Sequence, residues 1–500
     1  MTVATPGPDR LPDGFVVRLD PRTRRLRDGA MLGGSPLRML RLAPRARALL
    51  AGERLVVTDP TTAALAARLL DTGVAHPELA GGPDLSVTVV VPVRDRTGGL
   101  DRLLSALRAD PATRDLAVVV VDDGSADPAG VAGVAARAGA QLLRHDRSAG
   151  PAAARNAGLR TSRTDAVAFL DSDCVPRSGW LAPLTAHLAD PRLALVAPRI
   201  VALPPDRPGW VTRYETAVSA LDMGPHPAPV APLSAVSYVP SAALLARRAA
   251  LGAGFDEDMR VAEDVDLVWR LAGAGWRVRY EPSATVAHEH PTGTGSWLRR
   301  RAFYGTGAAL LAQRHGSAVA PLVLHPSTAA VWALTLAGGR RGTAVAGLVL
   351  AGSVVRLARR LAGPGHRAPV ALAGTLVVRG TLSAGRALAR SLLRHHWPLA
   401  VPALLGSRRA RQVVVAAAVL DAVDAWAPHR TDVGLPAFAA ARRLEDLAYG
   451  AGLWRGAWRA RDVRALLPAR PPGIAPPQRD RHALRSDVVA RNPSTGDHGT

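Results

Sequence analysis

At 500 residues the chain has room for about three domains, or for one domain with large additions. Its 63 basic residues, every one an arginine, outnumber 41 acidic residues for a net charge of +22. Aromatic residues make up only 4% and no segment resembles a base-stacking module, so a nucleic-acid-binding protein is disfavoured. The single cysteine, Cys174, excludes an intramolecular disulfide, fits a reducing cytoplasm and lacks the Cys/His spacing of a zinc site.

Residues 1–83 read as a separate unit. No apolar run of a secretory signal opens it. Residues 15–19 and 37–42 are predicted strands around an arginine-rich turn (Arg22, Arg24, Arg25, Arg27), and 44–50 and 61–70 are predicted helices. This order resembles the small winged-helix peptide-recognition elements, which add a peptide strand to an exposed sheet edge. A plain cap on the next domain is an equal alternative, and the arginines keep a DNA-binding winged helix open.

Beyond residue 84 the pattern alternates. Residues 86–93, 118–121 and 166–170 are short, β-branched apolar runs of the kind buried on both faces of a parallel sheet. Helical stretches at 98–108, 129–138 and 149–159 separate them. Strands alternating with helices predict an α/β fold with right-handed crossovers. Two of the strands end in acidic clusters, Asp122-Asp123-Gly124-Ser125 and Asp171-Ser172-Asp173. Ligands of open α/β sheets sit beyond the carboxyl ends of the strands, so a nucleotide and a divalent cation could meet there. No glycine-rich phosphate loop follows these strands, which leaves the neutralisation of phosphates to a metal such as magnesium or manganese.

Downstream, Glu263-Asp264-Val265-Asp266 opens a run with helical spacing. Carboxylates in a first turn are favoured by the helix dipole, and one flanked by like charges can serve as general base. A strand-like segment at 277–281 precedes His288-Glu289-His290, and Trp180 reads as a packing residue.

Together these residues resemble the family 2 glycosyltransferases with the GT-A fold, a Rossmann-like and mostly parallel sheet. The matching pieces are Val89-Val90-Val91-Pro92-Val93, Val121-Asp122-Asp123-Gly124-Ser125, Ala154-Arg155-Asn156-Ala157-Gly158, Phe169-Leu170-Asp171-Ser172-Asp173 and Ala262-Glu263-Asp264-Val265-Asp266-Leu267. The resemblance implies inverting transfer from a nucleotide sugar by a catalytic domain over 84–312. It implies nucleotide-sugar contacts from Pro92, Asp95, Asp122 or Asp123, Arg155 and Asp171. Asp171, Asp173 and His288 would hold a divalent metal, Mn or Mg, and Asp264, with Glu263 beside it, would supply the base. The Gln-x-x-Arg-Trp motif of processive polysaccharide synthases is absent.

Nearly end to end, from Leu11-Pro12-Asp13-Gly14-Phe15 to Asp446-Leu447-Ala448-Tyr449-Gly450, the chain also resembles the mycofactocin-system glycosyltransferases of actinobacteria. That resemblance implies glucose transfer from UDP-glucose onto a redox cofactor built from a ribosomally made peptide. The precursor peptide or its chaperone would be a further partner. A transferase for an envelope polysaccharide or glycolipid is the alternative within the class. A non-catalytic or nucleic-acid-binding basic protein is the alternative outside it.

Residues 313–467 read as a helical region. From 291 to 420 there is no acidic residue but there are 17 arginines, which flank uncharged runs at 315–339 and 342–355. Proline and histidine weaken the first run as a membrane span and the second is too short, so the region is expected to lie on an anionic membrane surface at its cytoplasmic face. Residues 468–500, rich in Pro, Arg and polar groups, are an expected disordered tail.

Overall fold

A computed structural model describes residues 2–471 apart from 8, 27, 28, 51, 80 and 363–368. At its centre lies a mixed nine-stranded sheet. Its parallel part runs Ala166–Leu170, Val87–Val93, Ala117–Asp123, Gln141–His145 in spatial order, with Val89 opposite both Val118 and Ala168. Ala243–Arg247 then enters antiparallel to Ala166–Leu170 and to Leu193–Ala202. Leu193–Ala202 lies parallel to the long strand Arg277–His288, and Cys174–Pro176 closes that edge. The valine runs at 87–93 and 118–121 are buried on both faces, as central parallel strands require.

Helices cover both faces. Thr97–Ala109 presents Leu100, Leu103, Leu104 and Leu107 to one side of the sheet. Pro151–Thr161 and Glu263–Gly273 pack on the other side, around Phe169, Phe255, Leu267 and Trp269. Gly158 sets how near the first of these lies, because a Cβ there would come within 2.3 Å of a Val90 methyl. This steric demand accounts for the glycine that ends the Ala154-to-Gly158 motif.

The expected strand at 277–281 extends as far as His288. The extension passes a register shift opposite Pro198 and Arg199. His288 therefore ends a strand rather than occupying a loop.

In the N-terminal unit, Val16–Leu19 pairs with Arg54–Val56 and Ala75–Pro77, and Met31–Gly33 pairs with Arg24–Arg25 and Arg38–Leu40. Helices Pro44–Leu49 and Pro60–Thr72 complete it around Leu69 and Leu70. It docks on the catalytic sheet through Arg277, which donates to Asp71 at 2.7 Å and to Asp190 at 2.9 Å, and through Arg279, 2.7 Å from His76. Both arginines are buried, so the contact is a tight one.

After residue 290 the chain is helical. Thr294–His315 packs along the late helix Leu435–Ala460. The two backbones meet where a Cβ on Gly452 would lie 1.8 Å from the Ala302 carbonyl oxygen, and one on Gly305 would lie 2.2 Å from that of Tyr449. Buried ion pairs fasten the same junction. Arg301 contacts Glu215 and Glu445, and Arg394 reaches Glu445 and Asp446. Between these elements lie Pro326–Ala337, Gly339–Leu361, Val370–Arg394, Trp397–Gly406 and Arg408–Trp426. Among the described residues no helix is long and apolar enough to cross a membrane. The expected tail is ordered at its start, where Ala469 bridges to Val323, and its remainder, 472–500, lies outside the described residues.

Candidate active site

Beyond the carboxyl ends of the parallel strands lies a cleft of 440 Å³ lined by Pro92, Arg96, Asp123, Ser148, Arg155, Asp171, Asp173, Arg260 and Phe303. The two acidic motifs meet there, as their positions at strand ends required.

Successive side chains of a strand point to opposite faces, and this separates the first pair. Asp123 lines the cleft. Its oxygens accept from the Ser148 hydroxyl at 2.7 Å and from the N–H groups of Ala149 and Gly150 at 2.9 Å, and one lies 2.9 Å from His145. Burial opposes ionisation of Asp123, but these bonds hold its carboxyl below the ordinary value. Asp122 is fully buried and turned away, which corrects its assignment as a nucleotide contact. It accepts from the Ser125 N–H at 2.9 Å and pairs with Arg144, so it shapes the turn from beneath. Gly124 completes that turn at φ 73°, where a Cβ would press on the Ser148 N–H. Asp95 stands at the rim with a left-handed φ of 54°. It donates its N–H to Ser125 Oγ at 3.0 Å and accepts from the Ala126 N–H at 2.8 Å.

The second motif divides similarly. Asp171 accepts from Arg155 at 2.6 Å, whereas Asp173 lies with one oxygen 3.3 Å from His288 Nε2 and the other 3.4 Å from Arg96. Burial alone would raise the Asp173 carboxyl, yet His288, Arg96 and Arg300 pull it down to about 2. The three expected metal ligands are thus not gathered. Asp171 is engaged elsewhere, and among the described residues no group of three or more His, Cys, Asp or Glu side chains is placed to hold a metal. Asp173 and His288 nonetheless fit a smaller share of a coordination shell. Two ligands bonded at right angles to one magnesium, at roughly 2.1 Å each, sit about 3 Å apart, and such a metal takes its other ligands from phosphate and water. His290 does not compete for this role. It faces Glu215 at 3.8 Å, and burial together with His288 and Arg301 lowers its pKa to about 4.

Beneath the cleft lining, and joined to it through Arg155, Ala262 turns through a left-handed φ of 64° and starts the helix Glu263–Gly273, whose Glu263 and Asp264 are not themselves lining residues. That conformation costs an alanine roughly 1–2 kcal/mol, and it sets the three carboxylates in different surroundings. Glu263 accepts from Arg155 at 2.9 Å. Asp266 is bound by Arg270 at 2.7 Å and lies 2.9 Å from His315, which removes it as a base. Among the described residues Asp264 has no cation in contact, and it accepts only from the N–H groups of Ser241 at 3.1 Å and Val265 at 2.8 Å. Burial raises the Asp264 carboxyl, with Asp171 adding to the effect against those two bonds and Arg155. Glu263 is raised by burial and by Asp264, with Arg155 opposing.

Arg96, Arg260, Ser148 and Phe303 carry no signal in the sequence. They are ordinary residue types brought to the cleft from distant segments, and the arginines are hidden among 63. Trp180 and Cys174 are buried, the thiol against the Ala242 carbonyl at 3.2 Å, and neither opens to the cleft.

The model of the family described as Glycosyl transferase family 2 matches residues 88–251. The pre-mycofactocin glycosyltransferase of Mycobacterium tuberculosis is 49% identical over 473 residues, covering 92% of this chain and 98% of that protein. An uncharacterized glycosyltransferase of Mycobacterium bovis is 33% identical over 39% of this chain and 82% of its own length. Among solved structures, a mannosyltransferase from Pyrobaculum calidifontis in complex with GDP-Man and Mn2+ aligns over 69% of this chain and 90% of its own. Its identity is 21% and its TM-score 0.37. The chain is an enzyme and belongs to the family 2 glycosyltransferases of the mycofactocin type.

Proposed function

We propose that the enzyme moves glucose from UDP-glucose, with inversion, onto a peptide-derived redox-cofactor precursor. The acceptor class rests on the 49% identity to the pre-mycofactocin glycosyltransferase. The observation that carries the chemistry is the isolation of Asp264. Among the described residues it is the one carboxylate of its helix turn without an arginine or histidine in contact, and burial lifts its proton affinity. A base whose pKa is brought toward the working pH removes a hydroxyl proton most effectively.

The residues divide the work. Asp123, Pro92 and Asp95 line or rim the nucleoside end of the cleft, and Asp122 keeps their turn rigid. Arg96 and Arg260 place positive charge beside the diphosphate. Asp173 and His288 would hold a manganese or magnesium ion, which when bound would offset the charge of the departing diphosphate. Asp264 takes the acceptor hydroxyl proton as that oxygen attacks the anomeric carbon from the face opposite the diphosphate. Phe303 walls the cleft and helps exclude water.

The test is UDP release from UDP-glucose with the peptide-derived acceptor, with and without manganese, together with mass analysis of the product. A gain of one hexose that needs both acceptor and metal supports the reading. Transfer only to a lipid or polysaccharide acceptor would replace the acceptor half of it, and no UDP release under any condition would reject it.

A further inference from the structure

A second cavity, of 390 Å³, lies in the helical region far along the chain from the catalytic motifs. Three helices form it, Pro326–Ala337, Gly339–Leu361 and Val370–Arg394. Its wall is apolar, with Val331, Leu350, Leu357 and Leu376, and its polar side carries Arg356 and Arg360. These two arginines are four residues apart on one helix and therefore share a face. Trp332 holds the bundle beside it, bonded to the Thr381 carbonyl at 2.9 Å and lying over Gly385, where a Cβ would come within 2.2 Å of the ring.

Among the described residues the charge of this site is not answered. Arg386 and Arg390 of the neighbouring helix reach Asp424 and Asp446. Arg356 and Arg360 have no such partner among the described residues, and the chain places no Asp or Glu anywhere from 291 to 420. The same region leaves large apolar side chains in solvent, with Leu348 72% exposed, Leu405 84% and Leu420 67%. A half-buried apolar wall, arginines without a partner among the described residues and exposed leucines together ask for an occupant that is anionic at one end and hydrocarbon at the other.

We propose that this cavity takes an anionic phospholipid, with the headgroup phosphate between Arg356 and Arg360 and hydrocarbon along Val331, Leu350 and Leu376. The surrounding helices lie on the bilayer surface, since none among the described residues is long and apolar enough to cross it. Apolar burial supplies one part of such binding and arginine–headgroup attraction the other.

The experiment is flotation of the full-length protein with vesicles of phosphatidylcholine alone or with added phosphatidylglycerol. Binding is expected only with the anionic lipid. Arg356→Gln with Arg360→Gln should lower partitioning roughly 30-fold, at about 1 kcal/mol per arginine near an anionic surface. Leu405→Asp with Leu420→Asp should lower it independently. Unchanged UDP-glucose turnover in detergent certifies that the variants are folded. Four outcomes overturn the proposal: no flotation of the wild type; equal flotation on neutral vesicles; full release by inorganic phosphate, which would make the cavity a small-anion site; or a concentration-dependent dimer that covers the exposed leucines without flotation.

Discussion

Arg155 and Asp171 form a 2.6 Å ion pair whose guanidinium is withdrawn from water, while the other terminal nitrogen of Arg155 donates to Glu263 at 2.9 Å. One side chain thus ties the strand that ends in the Asp171 motif to the helix that bears Asp264. Burial disfavours a charged guanidinium there, yet Asp171, Glu263 and Asp264 outweigh it and hold Arg155 protonated. Removing it leaves buried carboxylates unpaired, a loss of about 3–5 kcal/mol in comparable sites. Arg155→Met should therefore lower the unfolding free energy by that order in urea melts. Arg155→Lys should restore part of the stability but less of the turnover, because an ammonium cannot bridge two carboxylates as a planar fork does.

Asp264→Asn should bind UDP-glucose with manganese as the wild type does by calorimetry, yet transfer sugar about 10²–10⁴-fold more slowly. Near-normal transfer would pass the role to Glu263. Asp266→Asn is the contrasting variant. It breaks contacts with Arg270 and His315 and should reduce stability while leaving kcat per folded molecule nearly unchanged.

The pH dependence follows from burial. The folded carboxyl of Asp264 is raised above its ordinary value, so the fraction of ionised base grows as pH rises through that higher pKa. The acid limb of kcat should therefore lie above the roughly 3.9 of a free aspartate, and Asp264→Asn should abolish the limb along with most of the rate. Asp173 has the opposite sign. Its carboxyl is depressed to about 2 in the folded protein, so in metal-free protein its stabilisation is present above the ordinary value and is lost as pH falls towards 2. Acid unfolding of Asp173→Asn should show that dependence reduced.

Asp173→Asn and His288→Ala should each weaken manganese-dependent UDP-glucose binding by more than the roughly 10–100-fold typical for loss of an outer partner of a metal ligand. Asp171→Asn should cost less metal affinity than either, because Asp171 faces Arg155. A manganese titration of donor binding separates the three.

Gly158→Ala should destabilise by about 1–3 kcal/mol through crowding against Val90. Val90→Ala in the same chain should recover part of that loss in a thermal melt, since the two positions contest one space.

Much of the catalytic half was legible because buried parallel strands write themselves as uninterrupted valine runs, and because Asp123, Asp171 and Asp173 stand where those runs stop. The division between Asp122 and Asp123 was half-legible. A two-residue period says that they face opposite ways, but only packing shows that Arg144 and the Ser125 turn claim Asp122. Asp264 was named from the family resemblance, but the physical difference between it and Asp266 lies in the distant His315 and the Ser241 amide, which no local pattern encodes. His288 was named from its motif, but the strand that delivers it beside Asp173 is interrupted by Pro282 in sequence and becomes continuous only through pairing with Leu193–Ala202. Arg96, Arg260 and Phe303 had no signature at all, since arginine is this chain's default cation.

The glycine-to-carbonyl seating of Thr294–His315 on Leu435–Ala460 has a consequence for how the protein is made. Gln313 finds its carbonyl partner on Ala460, 147 positions later in synthesis. At about 5–20 residues per second a ribosome takes roughly 7–30 s to cover that distance. Throughout that interval the helix carrying Phe303 has left the exit tunnel without its mate, and its Arg301 without Glu445. The support of the cleft in a nascent chain is therefore incomplete until Leu435–Ala460 emerges. A chain cut before Leu435 is expected to lose turnover, because the helix carrying Phe303 never gains its mate.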